Sequence, residues 1–251
     1  IVNRLVDTAD IGLNDCVVEI GPGVGSMTLE LARRAGRVIA VEIDKYLIPA
    51  LEDNLKDFTN VRVINMDILK VNLEDIIGME YNGRIKVVAN LPYYITTPII
   101  MKLLETGYGF ERMVFMVQKE VALRMAAAPG GKDYGSLSVA VQYYSNPKIV
   151  FDVAPHCFIP QPDVDSSVIR LDINKTPPVE LISKDMFFKI VRASFGQRRK
   201  TMVNALYNLA NLNKSKEEIK ETLKKLGIDE KARGESLSIN QFAELSNTFS
   251  I

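Results

Sequence analysis

The chain has 251 residues, 47% of them apolar, and its 31 Lys plus Arg balance 31 Asp plus Glu, so it carries no formal net charge. That length suits one large domain, or one domain with a smaller appendage, around a sizeable core. No apolar run approaches the roughly 18 residues of a membrane helix, no secretory signal is visible, and Cys16, Cys157 and the single histidine, His156, make neither a disulfide framework nor a structural zinc site. A reducing, cytoplasmic setting with no membrane and no metal is expected. Zero net charge argues against a polyanionic partner, but the distribution argues for one. Residues 184–233 hold 13 Lys plus Arg against 6 Asp plus Glu, an excess of +7 that the rest of the chain balances. Such asymmetry directs one face toward nucleic acid, although a solvated Lys/Glu helix surface gives the same count.

In chain order, short apolar runs at 16–20, 37–43, 61–66, 85–89 and 113–117 read as strands, and 26–35, 47–57 and 98–106 read as helices between them. That alternation predicts a parallel sheet with helices on both faces, an α/β fold. A helix at 136–144 then precedes two closely linked strands, 148–153 and 167–173, which suggests an antiparallel edge. The segment Asn174-Lys175-Thr176-Pro177-Pro178 reads as a linker, because double proline continues neither helix nor strand. Helical patterns follow at 184–193, 199–209, 215–226 and 239–246, with Asp229 and Ser238 as candidate caps. The expected organisation is a sheet domain over 1–173, a linker over 174–178 and a small all-helical domain over 179–251.

The first strand runs into Glu19-Ile20-Gly21-Pro22-Gly23-Val24-Gly25-Ser26 and then a helix. Gly21, Gly23 and Gly25 let a ligand approach the backbone, and the helix start offers free N–H groups. Glu42 ends the second strand, where a carboxylate can accept both hydroxyls of a ribose. Asp67 ends the third and is suited to an adenine amine, with Ile43 or Ile68 against the ring. A dinucleotide fold would place a glycine where this chain has Ser26. Gly-x-Gly-x-Gly behind the acid Glu19 suits S-adenosylmethionine, whose ammonium group needs a negative or carbonyl-rich neighbour. Tight turns with solvated acids at strand ends are the plain alternative.

Asn90-Leu91-Pro92-Tyr93 follows the run at 85–89 and so lies where a strand of an open sheet ends, the usual place for a ligand crevice. An amide oxygen that accepts a hydrogen bond, beside an aromatic face that stacks, suits the exocyclic amine of adenine. A proline turn closed by an aromatic plug is the competing reading. Tyr94, next in line, reads as core.

Further segments share one pattern with these: Gln118-Lys119-Glu120-Val121-Ala122-Leu123-Arg124, Tyr134-Gly135-Ser136-Leu137-Ser138-Val139, Phe158-Ile159-Pro160-Gln161-Pro162-Asp163-Val164-Asp165-Ser166-Ser167-Val168 and Phe195-Gly196-Gln197-Arg198-Arg199-Lys200-Thr201. With Val18-Glu19-Ile20-Gly21-Pro22-Gly23 and Asn90 to Pro98, they make the chain resemble the rRNA adenine N6-dimethyltransferases along almost its whole length, most closely the small-subunit enzymes of the KsgA family. The resemblance implies a Rossmann-like class I methyltransferase fold and S-adenosylmethionine as methyl donor. It implies Gly21 at the methionine end, Glu42 on the ribose, Asp67 on the adenine amine and Asn90 beside donor and target. The implied substrate is two adjacent adenines near the 3′ end of small-subunit rRNA, in an immature 30S-type subunit, each methylated twice on N6. The family's Gln-x-Phe-Leu segment, which helps cover the donor, precedes the first helix; this sequence opens inside that helix.

Within that frame Asn90, Leu91, Pro92, Tyr93 and Phe158 are the candidate catalytic set, with Tyr93 and Phe158 stacking on the target base. Arg198, Arg199 and Lys200, read as opening a helix, are candidate phosphate contacts, and Lys119 and Arg124 extend the track. A monomer is expected. Three other readings compete: a large-subunit adenine methyltransferase of the macrolide-resistance type, a mainly non-catalytic ribosome-assembly factor, and a nicotinamide oxidoreductase, the last disfavoured by Ser26.

Overall fold

The structure, a computed structural model, describes residues 1–78, 83–158, 160–209 and 212–250. Ile159 of the Phe158–Val168 segment therefore lies outside the described residues. In order the elements are α1 (Val2–Ala9), β1 (Asp15–Ile20), α2 (Ser26–Ala32), β2 (Arg37–Glu42), α3 (Ile48–Leu55), β3 (Val61–Asn65), α4 (Leu73–Ile77), β4 (Arg84–Asn90), α5 (Thr96–Glu105), β5 (Phe110–Gln118), α6 (Lys119–Ala126), α7 (Ser136–Tyr144), β6 (Ser145–Val153), β7 (Ser166–Ile173), α8 (Lys184–Gly196), α9 (Met202–Tyr207), α10 (Lys216–Lys225) and α11 (Ile239–Phe249). Contacts divide them into two units, Ile1–Ala122 with Ser145–Ile173, and Leu123–Tyr144 with Asn174–Ile251. The segment 123–144, grouped with the sheet on sequence grounds, thus packs with the C-terminal helices. The aromatic rings explain it: Tyr143 meets Phe187 at 5.5 Å and Phe188 at 5.4 Å, and Tyr134 meets Phe195 edge-on at 5.8 Å.

In the sheet unit seven strands run in the order β3-β2-β1-β4-β5-β7-β6. The first five are parallel; β7 is antiparallel to β5, and β6 to β7. The burial pattern follows this order. Central β1 is buried at every position, whereas β6 at the edge alternates between exposed and half-buried positions between its two buried ends, as expected of strands covered on two faces and on one. The strand order reverses between β1 and β4. The carboxyl ends of those strands therefore open a crevice at a topological switch point.

The opposite, amino-terminal rim holds a buried ion cluster. Lys86 and Asp15 are both fully buried and lie 2.9 Å apart. Asp15 also accepts bonds from Arg84 Nε at 2.7 Å and the Gly12 N–H at 2.8 Å, while Lys86 donates to the Asp10 carbonyl. Burial alone would raise the Asp15 pKa. The bond to Lys86, the Gly12 N–H and the neighbouring Arg84 outweigh it and hold the carboxyl below its ordinary value.

The helical unit packs around Phe187, Ile190, Met202, Leu206, Leu223 and Phe242. Ser215 and Ser238 cap α10 and α11 through complete capping boxes with Glu218 and Gln241. Asp229 caps no helix; its carboxylate accepts the Lys231 N–H in a turn. The helix expected over 199–209 starts only at Met202, after Thr201. Arg198, Arg199 and Lys200 therefore occupy the turn after α8 rather than a helix start. α4 and α6 were not read from sequence: α4 is five residues long, and α6 follows β5 without a break.

Candidate active site

Strand register brings the predicted residues to one rim. Ile20 pairs with Val41 and with Ala89, Glu42 with Asn65, and Asn90 with Met116, so Gly21, Glu42 and Asn90 leave the sheet at one level. Gly21, Gly23 and Gly25 all have positive φ, at 69°, 59° and 94°. A Cβ on Gly21 would stand 4.0 Å from the Asn90 carbonyl and one on Gly23 would meet open space, but one on Gly25 would lie 2.8 Å from Leu51 Cδ1. The first two glycines thus serve the turn and an open approach, and the third serves packing. Gly23→Ala is expected to cost about 1 kcal/mol, from left-handed backbone alone, and Gly25→Ala more; urea midpoints check the order.

Glu42 is buried, and its carboxylate accepts the Gly23 N–H at 3.0 Å on one oxygen and the Asp44 N–H at 2.9 Å on the other. These bonds fix the carboxylate against the glycine loop and leave lone pairs for two hydroxyls. Asp67 Oδ1 accepts the Leu69 N–H at 2.9 Å, which fixes the loop after β3. Ile43 is 66% exposed, whereas Ile68 is buried. Of the two apolar candidates, only Ile43 offers a free side-chain face, and the exposed Met66, unread from sequence, adds another. A second unread residue braces this loop. Lys102 of α5 donates to the Ile68 carbonyl at 2.9 Å and the Val71 carbonyl at 2.7 Å, and burial lowers its pKa. Lys102→Met is expected to weaken binding of a nucleoside ligand about tenfold, by loosening the loop that carries Asp67; calorimetry with S-adenosylhomocysteine measures it.

Glu19 lies beneath the crevice. Its side chain is fully buried, and neither carboxyl oxygen has a hydrogen-bond partner of normal geometry among the described residues. Burial pushes its pKa to about 8; the Thr28 hydroxyl opposes the rise and the Glu42 charge adds to it. The folded protein therefore keeps a proton on Glu19 that the unfolded chain gives up above about pH 4.5. Stability from this group falls as pH climbs toward 8. Glu19→Gln is expected to gain thermal stability relative to the parent over that interval, and melting curves from pH 5 to 8 test it.

Asn90 is exposed at the end of β4, and the Leu91 N–H donates to the Met116 carbonyl at 3.1 Å. The Leu91 side chain is buried, which anchors the turn. The Pro92 carbonyl accepts the Ile95 N–H at 3.2 Å and the Thr96 hydroxyl at 2.9 Å. The half-buried Tyr93 ring is tethered by a 2.8 Å bond between its hydroxyl and Ser166 Oγ, a partner on β7 not foreseen from sequence. Phe158 is half-buried and packs against the core cluster that includes Met116, Val153 and Val168. Tyr94, expected in the core, is instead 86% exposed. It shares a turn with Tyr93, and only Tyr93 has a partner on the sheet.

The basic candidates divide. Lys119 is ion-paired to Asp152 at 2.6 Å, and Ser167 donates to the same carboxylate at 2.7 Å; this pairing keeps Lys119 charged but occupied. Arg124 is exposed on α6. In the helical unit Arg198 donates to the carbonyls of Lys132 at 2.7 Å and Tyr134 at 3.2 Å, so it ties two segments together. Arg199 is exposed and Lys200 half-exposed beside it.

The family model described as "Ribosomal RNA adenine dimethylase" matches residues 1–250. This chain belongs to the ribosomal RNA adenine dimethylase family. Among members, the "Ribosomal RNA small subunit methyltransferase A" of Alkaliphilus oremlandii is 52% identical over 248 residues, covering 98% of this chain and 86% of the relative. The protein of that name in Clostridioides difficile is also 52% identical, covering 98% and 85%. Among solved structures, a dimethyladenosine transferase from Plasmodium falciparum superposes with a TM-score of 0.85 at 27% identity, covering all of this chain and 96% of its own. The 23S rRNA methyltransferase ErmE gives a TM-score of 0.75 at 25% identity, covering 100% and 97%. The chain is thus an rRNA methyltransferase with a class I methyltransferase fold. Among the described residues no helix is long and apolar enough to cross a membrane, and no group of His, Cys, Asp and Glu could hold a metal ion.

Proposed function

We propose that this member of the adenine dimethylase family transfers methyl groups from S-adenosylmethionine to N6 of two adjacent adenosines near the 3′ end of small-subunit rRNA, twice on each, during small-subunit biogenesis. The observation that carries the reading is the exposed Asn90, whose backbone carbonyl lies beside the Gly21 turn, on a chain 52% identical to proteins named for the small subunit. Identity to ErmE is about half of that, which favours the small-subunit over the large-subunit reading.

The crevice suits the donor on three counts: left-handed glycines with space above Gly23, the Glu42 carboxylate fixed toward a diol, and unpartnered carboxyl oxygens on Glu19. Gly21 and Gly23 would lie along its methionine end, Glu42 at its ribose, and Asp67 and Ile43 at its adenine, over the buried Glu19 and Ile68 and the packed Gly25. Bound there, S-adenosylmethionine supplies an electrophilic methyl on sulfonium. The protein's task is to hold the acceptor. The lone pair of an adenine amine is delocalised into the ring, so the amine is a poor nucleophile. Asn90 Oδ1 and the Leu91 carbonyl each accept one N–H, which favours a pyramidal nitrogen with its lone pair free. Holding reactants in line this way is worth at most about 7–11 kcal/mol. Asn90 takes no proton and is no general base; the proton leaves to water after transfer. Tyr93 and Phe158 stack on the target base at about 1–3 kcal/mol, against the cost of unstacking it. A monomethylated amine offers one N–H, so the second transfer leans on stacking and shape.

Arg124, Arg199 and Lys200 contact phosphates, Lys119 and Arg198 add charge to the surfaces of their own units, and the helical residues 179–251 bind RNA. The protein acts as a cytoplasmic monomer on an immature 30S-type subunit, without metal. Mass analysis of rRNA nucleosides after incubation with unmodified subunits and the donor tests the proposal. N6,N6-dimethyladenosine at the two adjacent sites is expected; subunit binding without methylation would instead favour an assembly factor.

A further inference from the structure

Tyr94 is the most exposed large apolar side chain among the described residues, at 86%, and it sits one residue beyond the Asn90–Tyr93 motif. Isolated exposed apolar side chains are ordinary, so exposure alone says little. The turn that carries this one says more. Pro92 and Ile95 close it through a 3.2 Å backbone bond, and the Thr96 hydroxyl holds the Pro92 carbonyl at 2.9 Å. Buried Thr96, Ile99 and Ile100 then root the following helix in the core. Tyr93 and Tyr94 are the two corner residues of this anchored turn, with Cα atoms about 3.8 Å apart. One ring is tethered to Ser166; the other stands in water. An aromatic ring gains from covering on the order of 150–250 Å² of surface. Tyr94 forgoes that gain at a fixed position beside the acceptor Asn90.

We propose that Tyr94 is a stacking platform for the nucleobase adjacent to the target adenine. This rests on the function proposed above and extends it to a second base. Drawing an adenine out of its strand strips one face of its neighbour, and an exposed π-face restores that contact for any base. Where two adjacent adenines are both substrates, Tyr94 holds one while the other occupies the Tyr93 side, and the two exchange places between rounds. Tyr94 is therefore a positioning residue for the acceptor strand, without contact to the donor.

The test uses the full chain and a short RNA with 2-aminopurine beside the target adenine. Stacking quenches 2-aminopurine, so its fluorescence is expected to stay low in the complexes with wild type and Tyr94→Phe, where the ring replaces the withdrawn adenine, and to rise in the complex with Tyr94→Ala. On unmodified small subunits, Tyr94→Ala is expected to lower kcat/KM about 5- to 150-fold, the range of one aromatic–base stack. Tyr94→Phe should stay within about twofold of wild type, and calorimetric donor affinity and melting temperature should not move, because this ring is 86% exposed. Equal quenching by wild type and Tyr94→Ala would overturn the platform, as would equal losses in the Phe and Ala variants, which would assign the effect to the hydroxyl. A wild type that does not methylate small-subunit rRNA would overturn the proposed function; the fluorescence comparison would still decide Tyr94.

Discussion

Asn90→Ala is expected to lower the methyl-transfer rate about 100- to 1,000-fold or more, while leaving affinity for the small subunit within a few fold. The amide is exposed at the end of β4 and holds up no part of the core, so the loss would not come from misfolding. Only one of the two proposed acceptors disappears, since the Leu91 carbonyl belongs to the backbone, which is held by the buried Leu91 side chain and the bond to Met116. The measurement is single-turnover methylation beside a subunit-binding titration of the same variant. If binding fell in step with turnover, chemistry and RNA recognition would not be separable at this rim, and the role given to Asn90 would fail. A variant that still dimethylated at a near-normal rate would remove the amide from the mechanism.

Lys86→Met is expected to destabilise the protein by about 3–5 kcal/mol, because it removes one partner of a buried pair and leaves the other charged. For a chain of this size that corresponds to a fall in Tm of roughly 6–20 °C. Arg84 still reaches Asp15 at 2.7 Å, so the loss falls toward the lower end if that contact tightens. Asp15→Asn gives the matching pH signature. The folded-state pKa of Asp15 is depressed, so its stabilising contribution is present above the ordinary carboxylate range and is lost as pH falls through the folded value. The stability gap between wild type and Asp15→Asn should therefore narrow in acid. Calorimetric melting between pH 3 and 7 checks both variants; a gap that stays constant with pH would contradict the pairing.

The parallel sheet was legible because its strands are short apolar runs that need no partner to be recognised. The crevice was legible because Glu42, Asp67 and Asn90 are polar residues placed at or just past the ends of such runs. What escaped depends on contacts distant in the chain. Nothing near Lys86 announces that a mid-strand lysine finds its carboxylate 71 positions earlier. Lys102 looks like an ordinary helix-surface lysine until α5 is laid against the loop after β3. Arg198 reads as a free cation because its carbonyl partners, Lys132 and Tyr134, lie more than 60 residues away. Two consecutive tyrosines cannot be told apart by pattern either; the Ser166 hydroxyl on β7 decides which ring is tethered. Glu19 stands next to the glycine loop in the sequence. Its protonation, however, follows from complete burial, which composition does not report.

The salt-linked Lys86 and Asn90 belong to the same strand, four residues and roughly 13 Å apart. At that distance substitutions behave additively. Remodelling the rim toward another nucleobase should therefore draw little on the thermal reserve stored below, and this scaffold can tolerate wide exploration of its recognition loops while the foundation stays intact.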